Sequence, residues 1–357
     1  MHCKSLTHRI LALAICLGIG TTCMPATPAQ AFDIGTIIGV GAEYAQLNKQ
    51  LNYLDNEGRD EFMKQLKEKY GVNTDARANA MTSRVIGNLS KAIAQTDSSI
   101  TKKPYHYFVN NDTSFNAFCT IGHNISVNIG LFEPLNYNEN EVAFVLGHEM
   151  GHGQKNHSIQ GVKKSLPLSV LTSLAGSGAS QVGAAIISQI GSANLITKPM
   201  EKQADALGFD YAVSAGYNPG GGAALWQRML DKGGDVKTSG VMALFNDHPT
   251  NISRRNTNSN MVTKWSNGIV KVNNETGMIS IRGKDWYTPA GISSMSGQER
   301  AYLIAGNLSA VYHQSQTPKG SVYVNNNNVL CVGKQPIVDL SPEKQPKEIT
   351  QRLKQLL

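Results

Sequence analysis

The sequence lacks a dense stripe of basic residues. Its formal charge is +7, yet its longest basic runs are pairs such as Lys163-Lys164 and Arg254-Arg255. Surfaces that bind nucleic acid concentrate Lys and Arg on one face, with aromatic side chains between them. The charge pattern therefore predicts a mildly basic surface and no nucleic-acid partner.

Cysteine is also scarce. Three of the five cysteines, Cys3, Cys16 and Cys23, lie close to the N-terminus. Cys119 and Cys331 remain, and neither has the spacing of a metal-binding knuckle. Outside the cytosol these two could form one disulfide, and two free buried thiols are an almost equal alternative.

A long apolar run of the kind that spans a membrane is missing too. The run Ile10–Ile19 is too short, and it follows Lys4 and Arg9 and precedes the small-residue site Ala29-Gln30-Ala31. This order predicts a cleavable signal peptide over residues 1–31 and export to the periplasm or cell envelope.

A lipoprotein signal that ends at Cys23 is the less favoured alternative, because Thr21 and Thr22 stand where smaller residues are usual. Cleavage after Ala31 removes two basic residues and leaves a formal charge of +5.

Charge is absent from Ser165–Thr197, which is rich in Gly, Ser and Ala. Its apolar runs are too short and too polar for a spanning helix. We predict a pair of small-residue helices that pack on the body of the protein or contact a membrane surface peripherally. A membrane hairpin is the alternative.

What the sequence does contain is regular patterning, in which three- and four-residue spacing predicts helices and alternation predicts strands. The predicted helices are Arg59–Tyr70, Asp75–Gln95, Glu139–Lys155, Pro199–Ala215 and one after Pro219. The predicted strands are Tyr105–Val109, Asn116–Thr120 and Asn124–Ile129, the last of them half-buried. Beyond Met261 the pattern predicts two hairpins, Gly268–Gly283 and Gly320–Gly333, and two helices, Gly297–His313 and Pro342–Leu357.

The chemistry concentrates in Gly147–His152, which contains an H-E-x-x-H motif. His148 and His152 are four residues apart, so a helix projects both imidazoles from one face, where they can share one Zn²⁺ ion per chain. Glu149 stands beside the first ligand and can take a proton from activated water.

Three glycines, Gly147, Gly151 and Gly153, interrupt the same predicted helix. Each costs about 1 kcal/mol relative to Ala in a helix interior, and close approach of a neighbouring backbone around a metal explains them. A buried helix with two core histidines is the alternative without chemistry.

A catalytic zinc ion needs a third protein ligand and keeps one open position. His157 does not fit the long metzincin pattern, since Lys155 and Ser158 stand where that pattern has Gly and His, and we expect it to end the helix. Glu201 is the better candidate. It shares a predicted helix face with Asp205, so one carboxylate can bind metal while the other orients an imidazole. Two solvated acids explain this pair equally well on spacing alone.

The motifs together resemble the zinc metallopeptidases that include the CAAX prenyl proteases, the HtpX membrane proteases and exported, periplasmic relatives. The resemblance covers roughly residues 75–260. It is carried by Asn116–Phe118, Ser126–Leu131, Glu141–His157, Glu201–Asp205, Ala215–Pro219, His248-Pro249 and Arg254.

This resemblance implies an α+β fold. A mainly helical zincin domain of the gluzincin type, with a small antiparallel sheet, would occupy residues 32–261. The change of pattern after Met261, and not the resemblance, predicts a small α+β region over residues 262–357. The resemblance also places the third zinc ligand at Glu201, and implies that His248 donates to the developing oxyanion while Arg254 holds it in place.

The expected activity is hydrolysis of polypeptides, in particular misfolded or misassembled envelope proteins, with Glu149 as the base. The polar strand Asn124–Ile129, with Ser126 and Asn128, is expected to pair with an extended substrate, and Asn116 to fix the peptide backbone. One alternative is a zinc-dependent chaperone or assembly factor with little proteolysis. Another is a latent protease in which His248 blocks the open metal position.

Overall fold

The structure is a computed structural model, and it describes residues 34–165, 174, 176–190, 196–233, 250–314 and 320–357. Ala42–Leu357 form one compact unit. The predicted signal peptide over residues 1–31 lies outside the described residues, and so does much of the uncharged segment 165–197. Among the described helices, none is long and apolar enough to cross a membrane.

The first described part of the chain is helical. Its helices are α1 (Ile34–Asp55), α2 (Arg59–Tyr70), α3 (Ala76–Ala94) and the short α4 (Ser99–Lys102). The Asp75 side chain caps α3 by accepting a hydrogen bond from the Ala78 backbone N–H at 2.7 Å. The predicted apolar face of this helix is buried, with Val85 and Leu89 fully enclosed. Both helices predicted in this region are confirmed.

A small mixed sheet follows, made of β1 (His106–Asn110), β2 (Ala117–Thr120) and β3 (Asn124–Asn128). Its strand order is β1-β3-β2, so the last strand in sequence lies in the middle. β3 pairs with β1 in parallel and with β2 in antiparallel orientation. All five residues of β3 are buried, so the prediction of a half-buried strand was wrong. Alternating side chains of β3 point to opposite faces of the sheet, and both faces are buried, so neither faces solvent.

Six helices follow in the described part of the chain. They are α5 (Glu139–Gln154), α6 (His157–Ser165), α7 (Ala179–Gln189), α8 (Lys198–Ser214), α9 (Gly221–Gly233) and α10 (Asn251–Trp265). The H-E-x-x-H helix α5 runs through the main core, where Val142, Leu146 and Met150 pack between α3 and the sheet. The Asn138 side chain caps it and also donates to Glu141 at 2.8 Å. The predicted start of this helix is confirmed.

The chain ends in two three-stranded antiparallel sheets, each followed by a helix. The first unit comprises β4 (Val270–Val272), β5 (Ile279–Ile281), β6 (Lys284–Tyr287) and α11 (Gly297–Gln314). The second comprises β7 (Val322–Val324), β8 (Val329–Val332), β9 (Gln335–Asp339) and α12 (Pro346–Leu356). Both predicted hairpins are present, and each gains a third strand that the sequence analysis missed.

The fold class is therefore α+β and mainly helical, as expected. The proposed domain boundary at residue 261 falls within α10, which continues to Trp265. The C-terminal sheets share a core of their own around Trp286 and Tyr312, but belong to the same compact unit as the helices before them. Cys119 and Cys331 are both buried and free, which matches the alternative of two thiols.

A buried ion cluster joins the H-E-x-x-H helix to the C-terminal region. The Arg228 guanidinium on α9 donates to Glu141 on α5 at 2.8 and 3.1 Å, and also to Glu299 on α11. All three side chains are at most 3% exposed. Burial and, to a smaller extent, the neighbouring Glu141 carboxylate raise the pKa of Glu299 to about 9, against the opposing effect of Arg228. Two carboxyl groups and one cation thus hold one proton at neutral pH.

This cluster predicts a pH dependence of stability. A carboxyl group whose pKa is higher in the folded than in the unfolded protein stabilises the fold at low pH, and that stability is lost as pH rises. For Glu299 the loss runs from its ordinary pKa of 4.5 to about 9. Glu299→Gln mimics the protonated form. Its stability relative to the wild type should therefore rise between pH 5 and pH 9, by on the order of 2 kcal/mol.

Urea unfolding at both pH values measures the difference. Glu348→Gln on the exposed face of α12 is the matched control and should follow the wild type. Parallel curves for Glu299→Gln and wild type at the two pH values would contradict the shared proton.

Candidate metal centre

Glycines set the distance between α5 and α8. A Cβ added to Gly147 would lie 2.9 Å from the Gly208 carbonyl oxygen, and one added to Gly208 would lie 2.7 Å from the His148 backbone nitrogen. Gly151 faces Ala204 in the same way, with 3.1 Å to its carbonyl oxygen. Atoms at such distances leave no room for a side chain, so the two helix backbones touch. This is the close approach that the glycines in the motif predicted.

The touching backbones bring three ligand atoms together. Nε2 of His148 lies 3.0 Å from Nε2 of His152, and these atoms lie 3.5 and 3.3 Å from the two carboxylate oxygens of Glu201. One ligand atom from each residue falls within 4.8 Å of the others, and all three side chains are buried. The predicted helix pair therefore places the three predicted ligands around one point.

The donor set and charges fit a divalent cation. Two imidazoles and a carboxylate form a set that binds Zn²⁺. Three acids with buried side chains lie at the site, Glu149, Glu201 and Asp205, and Arg254 contacts one of them, Asp205. Among the described residues at the site the acidic side chains outnumber the basic ones, and a bound cation would lower the cost of burying them, which is several kcal/mol for each ion.

The outer side of His148 rests on a carboxylate. Its Nδ1 lies 2.8 Å from Asp205 Oδ1, and Arg254 Nη2 donates to the same oxygen at 2.8 Å. Burial would raise the pKa of Asp205, but Arg254 and the His148 ring outweigh burial and hold it well below its usual range. Trp226 lies 4.0 Å beneath the Arg254 guanidinium and keeps it in place. Asp205 thus takes the orienting position predicted for it.

His152 is held differently. Its Nδ1 lies 2.9 Å from Nδ1 of His157, whose Nε2 lies 3.0 Å from the Gln203 side-chain oxygen. His157 begins α6 instead of ending α5, so the expectation of a helix-end role was wrong. The reason is Asn156, whose φ of 51° turns the chain between the two helices. Neither His157 nor Gln203 was predicted as a site residue. The available signal was sequence proximity, since His157 follows the ligand His152 by five residues and Gln203 follows Glu201 by two.

Glu149 faces the sheet. Its Oε2 accepts a hydrogen bond from the Cys119 backbone N–H on β2 at 2.9 Å. Burial raises the pKa of Glu149, while the adjacent His148 and His152 rings oppose that rise. The carboxylate is thereby fixed between the ligand helix and the sheet edge.

The substrate strand predicted at β3 is wrong, because β3 has partners on both sides and offers no free edge. The side chains of Ser126 and Asn128 are also occupied: both accept hydrogen bonds from Asn110 Nδ2, at 2.8 and 2.7 Å. They form an internal network and are not exposed to a substrate. Within the described part of the chain β2 is the strand that borders the site. Asn116 precedes it, with a buried side-chain oxygen that has no hydrogen-bond partner among the described residues.

The two residues expected near the transition state have different outcomes. Arg254 contacts Asp205 and lies 3.4 Å from His148 Nδ1, on the outer side of the ligand ring. His248 lies outside the described residues, so its predicted role stays a prediction.

Comparison with known proteins gives a consistent result. The sequence pattern of peptidase family M48 matches residues 79–261, just over half of the chain. This range contains α5 and α8 with all three ligand residues. The finer placement among the CAAX prenyl proteases and HtpX stays a prediction.

Three relatives show how far the similarity extends. Metalloprotease LoiP of Escherichia coli is 25% identical over 69% of this chain and 94% of that protein. A beta-barrel assembly-enhancing protease of Yersinia pestis is 26% identical over 49% of this chain. Mitochondrial metalloendopeptidase OMA1 of Arabidopsis thaliana is 30% identical over 41% of this chain and 30% of that protein. The chain spans less than half the length of the assembly-enhancing proteases it matches, 46% and 37% of two of them.

The glycine contact gives a direct test of the site. Gly208→Ala should push α8 away from α5, because the new methyl group meets backbone atoms that cannot move aside. We expect about a tenfold or greater loss of Zn²⁺ affinity, with destabilisation of roughly 1–3 kcal/mol from overpacking. Chelator competition measures the affinity, and thermal unfolding measures the stability.

Gly87→Ala is the matched control, because this α3 glycine has no neighbouring atom within 4 Å of an added Cβ. It should stabilise the protein by about 0.5–1 kcal/mol and leave Zn²⁺ affinity unchanged. Unchanged affinity in Gly208→Ala would show that the helix contact does not set the site.

Proposed function

Because the chain belongs to peptidase family M48, it is a metalloprotease, and we propose that it is an exported zinc-dependent endopeptidase of the cell envelope. The observation that carries this proposal is the convergence of His148, His152 and Glu201, with Glu149 beside them. A core helix with two histidines would need neither a facing carboxylate nor a buried acid next to it.

The zinc ion would be held by His148, His152 and Glu201. Zinc in such a site supplies Lewis acidity, which activates water and polarises a carbonyl group. The remaining work belongs to the protein. Asp205 fixes the ring of His148 at Nδ1, and Arg254 compensates the Asp205 charge.

Glu149 is placed to act as the general base and then as the acid. Its carboxylate is next in sequence to a ligand and is held on its other side by the Cys119 N–H. It would take a proton from the attacking water and pass it to the leaving amine. A pKa raised by burial favours this exchange, because the carboxylate then holds a proton more firmly than an exposed one.

The edge of β2 is the proposed substrate platform. At Cys119 both backbone groups of this edge are taken, since the N–H donates to Glu149 and the carbonyl accepts from Ser158 at 3.0 Å. Ala117 is two residues away and presents its backbone to the same side, because alternate residues of a strand share a direction. An extended peptide could add to this edge by β-augmentation, and Asn116 Oδ1 would accept one of its N–H groups.

The cell-envelope setting rests on two supports. The sequence pattern of residues 1–31 is that of a cleavable signal, and several relatives are named beta-barrel assembly-enhancing proteases. We propose polypeptides of the envelope, in particular misfolded or misassembled ones, as the substrate class.

Glu149→Gln tests the base. The amide keeps the size of the side chain and can still accept from Cys119 N–H, but it cannot take a proton. We expect hydrolysis of casein to fall by about 10²–10⁴-fold, with Zn²⁺ content unchanged. Peptide cleavage with and without chelator, together with metal analysis, measures both quantities.

Glu133→Gln on the exposed surface is the control for loss of one acid and should keep full activity. Wild-type activity that survives chelation, or full activity of Glu149→Gln, would refute the proposal. Substrate holding by a wild type that shows no chelator-sensitive cleavage would instead indicate a chaperone.

Asn116→Leu tests the substrate platform. Removing a buried acceptor that has no described partner should not lower stability, since no hydrogen bond is lost. We expect kcat/KM to fall about tenfold or more while the thermal midpoint stays equal or rises. Steady-state kinetics on a fluorogenic peptide and thermal unfolding give the two values.

Asn128→Leu is the matched control, because this amide is satisfied by Asn110 and Ser114 inside the protein. It should cost about 1–3 kcal/mol of stability. The proposal that a substrate binds at the β2 edge beside Asn116 is contradicted if Asn116→Leu cleaves as efficiently as the wild type.

A further inference from the structure

Among the described residues, His157 is a buried histidine at the site whose role the zinc chemistry does not already explain. It is 1% exposed, and its ring meets that of His152 edge-on, with centroids 5.0 Å apart and planes at 73°. A ring placed for packing alone would need no polar partner, yet both of its nitrogens are engaged.

We propose that His157, with Gln203 behind it, is a positioning residue that fixes the tautomer and orientation of the metal ligand His152. This inference rests on the proposed zinc site and extends it. His157 itself does not touch the metal position, because its Nδ1 is directed at the outer nitrogen of His152.

The direction of the hydrogen bonds follows from the ligand atom. Nε2 of His152 faces His148 and Glu201, so Nε2 is the donor toward a metal and the ring proton belongs on Nδ1. That N–H donates to Nδ1 of His157, which must then be unprotonated at this nitrogen. His157 carries its own proton on Nε2 and donates it to the Gln203 oxygen. Each contact selects one tautomer of the next ring.

The turn that places His157 next to His152 requires an unfavourable backbone conformation. Asn156 adopts a left-handed φ of 51°, which for a non-glycine residue costs of order 1 kcal/mol or more. The turn is closed by the Asn156 N–H on the Gly153 carbonyl at 2.9 Å. Gln203 stands two residues after the ligand Glu201 on α8, so one helix supplies both a ligand and the end of the relay.

The relay also suits the charge of the site. His148 already rests on the Asp205 carboxylate, and Glu149 and Glu201 are further buried acids at the site. Another carboxylate behind His152 would add one more buried negative charge, and burying a charge costs several kcal/mol. A neutral imidazole and an amide hold the ring without that charge.

Zinc affinity of the full chain is the main measurement. His157→Phe keeps a ring of similar shape and removes the acceptor, and we expect Zn²⁺ to bind about 10–100-fold more weakly. His157→Asn places an amide oxygen near the position of Nδ1 and should bind Zn²⁺ within about threefold of the wild type. Chelator competition gives the affinities, and thermal unfolding of the metal-free proteins shows whether the variants are folded.

A Co²⁺-loaded sample supplies a second readout. Its visible absorption bands respond to ligand geometry, so His157→Phe should shift them and His157→Asn should restore them. His313→Phe is the control, because this exposed histidine stacks on Trp265 at 4.0 Å and is not part of the site. It should leave affinity and spectrum unchanged.

The outcomes separate this inference from the proposed function. If the wild type binds no Zn²⁺, both the proposed function and the positioning role of His157 are refuted. Wild-type affinity and spectrum in His157→Phe, or an equal defect in His157→Asn, remove the positioning role alone. If His157→Phe does not fold, Gln203→Leu decides: a severalfold loss of affinity supports the relay, and an unchanged value overturns it.

Discussion

The site depends on contact between two helix backbones. Gly147 and Gly208 allow α5 and α8 to touch, and a side chain on either glycine would strike main-chain atoms of the other helix. Because the helices are this close, a carboxylate on one reaches the imidazoles of the other without a long, mobile side chain. The three glycines of α5 weaken it as an isolated helix. The glycines that face α8 allow the two helices to approach closely. Helix propensity, which describes one helix at a time, does not include such packing between helices.

The sequence predicted the parts of the site that follow from one helix or one motif. The four-residue spacing of His148 and His152, and that of Glu201 and Asp205, assigns faces directly. Which face meets which was open at that stage, since Glu201 and Asp205 would look the same on an exposed helix. The family resemblance favoured Glu201 as the third ligand, and the glycines indicated only that a neighbouring backbone lies close to α5. His157 escaped because its role depends on the left-handed turn at Asn156, and no periodic pattern reports such a turn.

The larger error was the choice of Asn124–Ile129 as the strand that pairs with a substrate. Alternation within Asn124–Ile129 indicated a strand, but it carries no information about neighbours. The chain places β3 between its two predecessors, and this buries both of its faces and edges. The polar residues that looked ready for a substrate are consumed by Asn110, whose amide bridges Ser126 and Asn128. A polar residue in a strand therefore marked a hydrogen-bond network here, and the edge next to the ligand helix belongs to β2.

If a peptide adds to the β2 edge, as proposed, the same edge would connect substrate binding to the position of Glu149. Glu149 is bound to the Cys119 N–H, and Cys119 lies on the strand where a peptide is proposed to add. A shift of β2 on substrate binding would therefore move the base, and a fixed β2 holds it. Cys119 is buried beside Gly153 of the ligand helix, which lets the strand lie close to α5. The Glu141–Arg228–Glu299 cluster fastens the opposite end of α5 to the C-terminal region. The ligand helix is thus anchored at its first turn by ions and along its length by the sheet edge. The described region after α10 contributes to the site through that anchor, and the candidate ligands all come from α5 and α8.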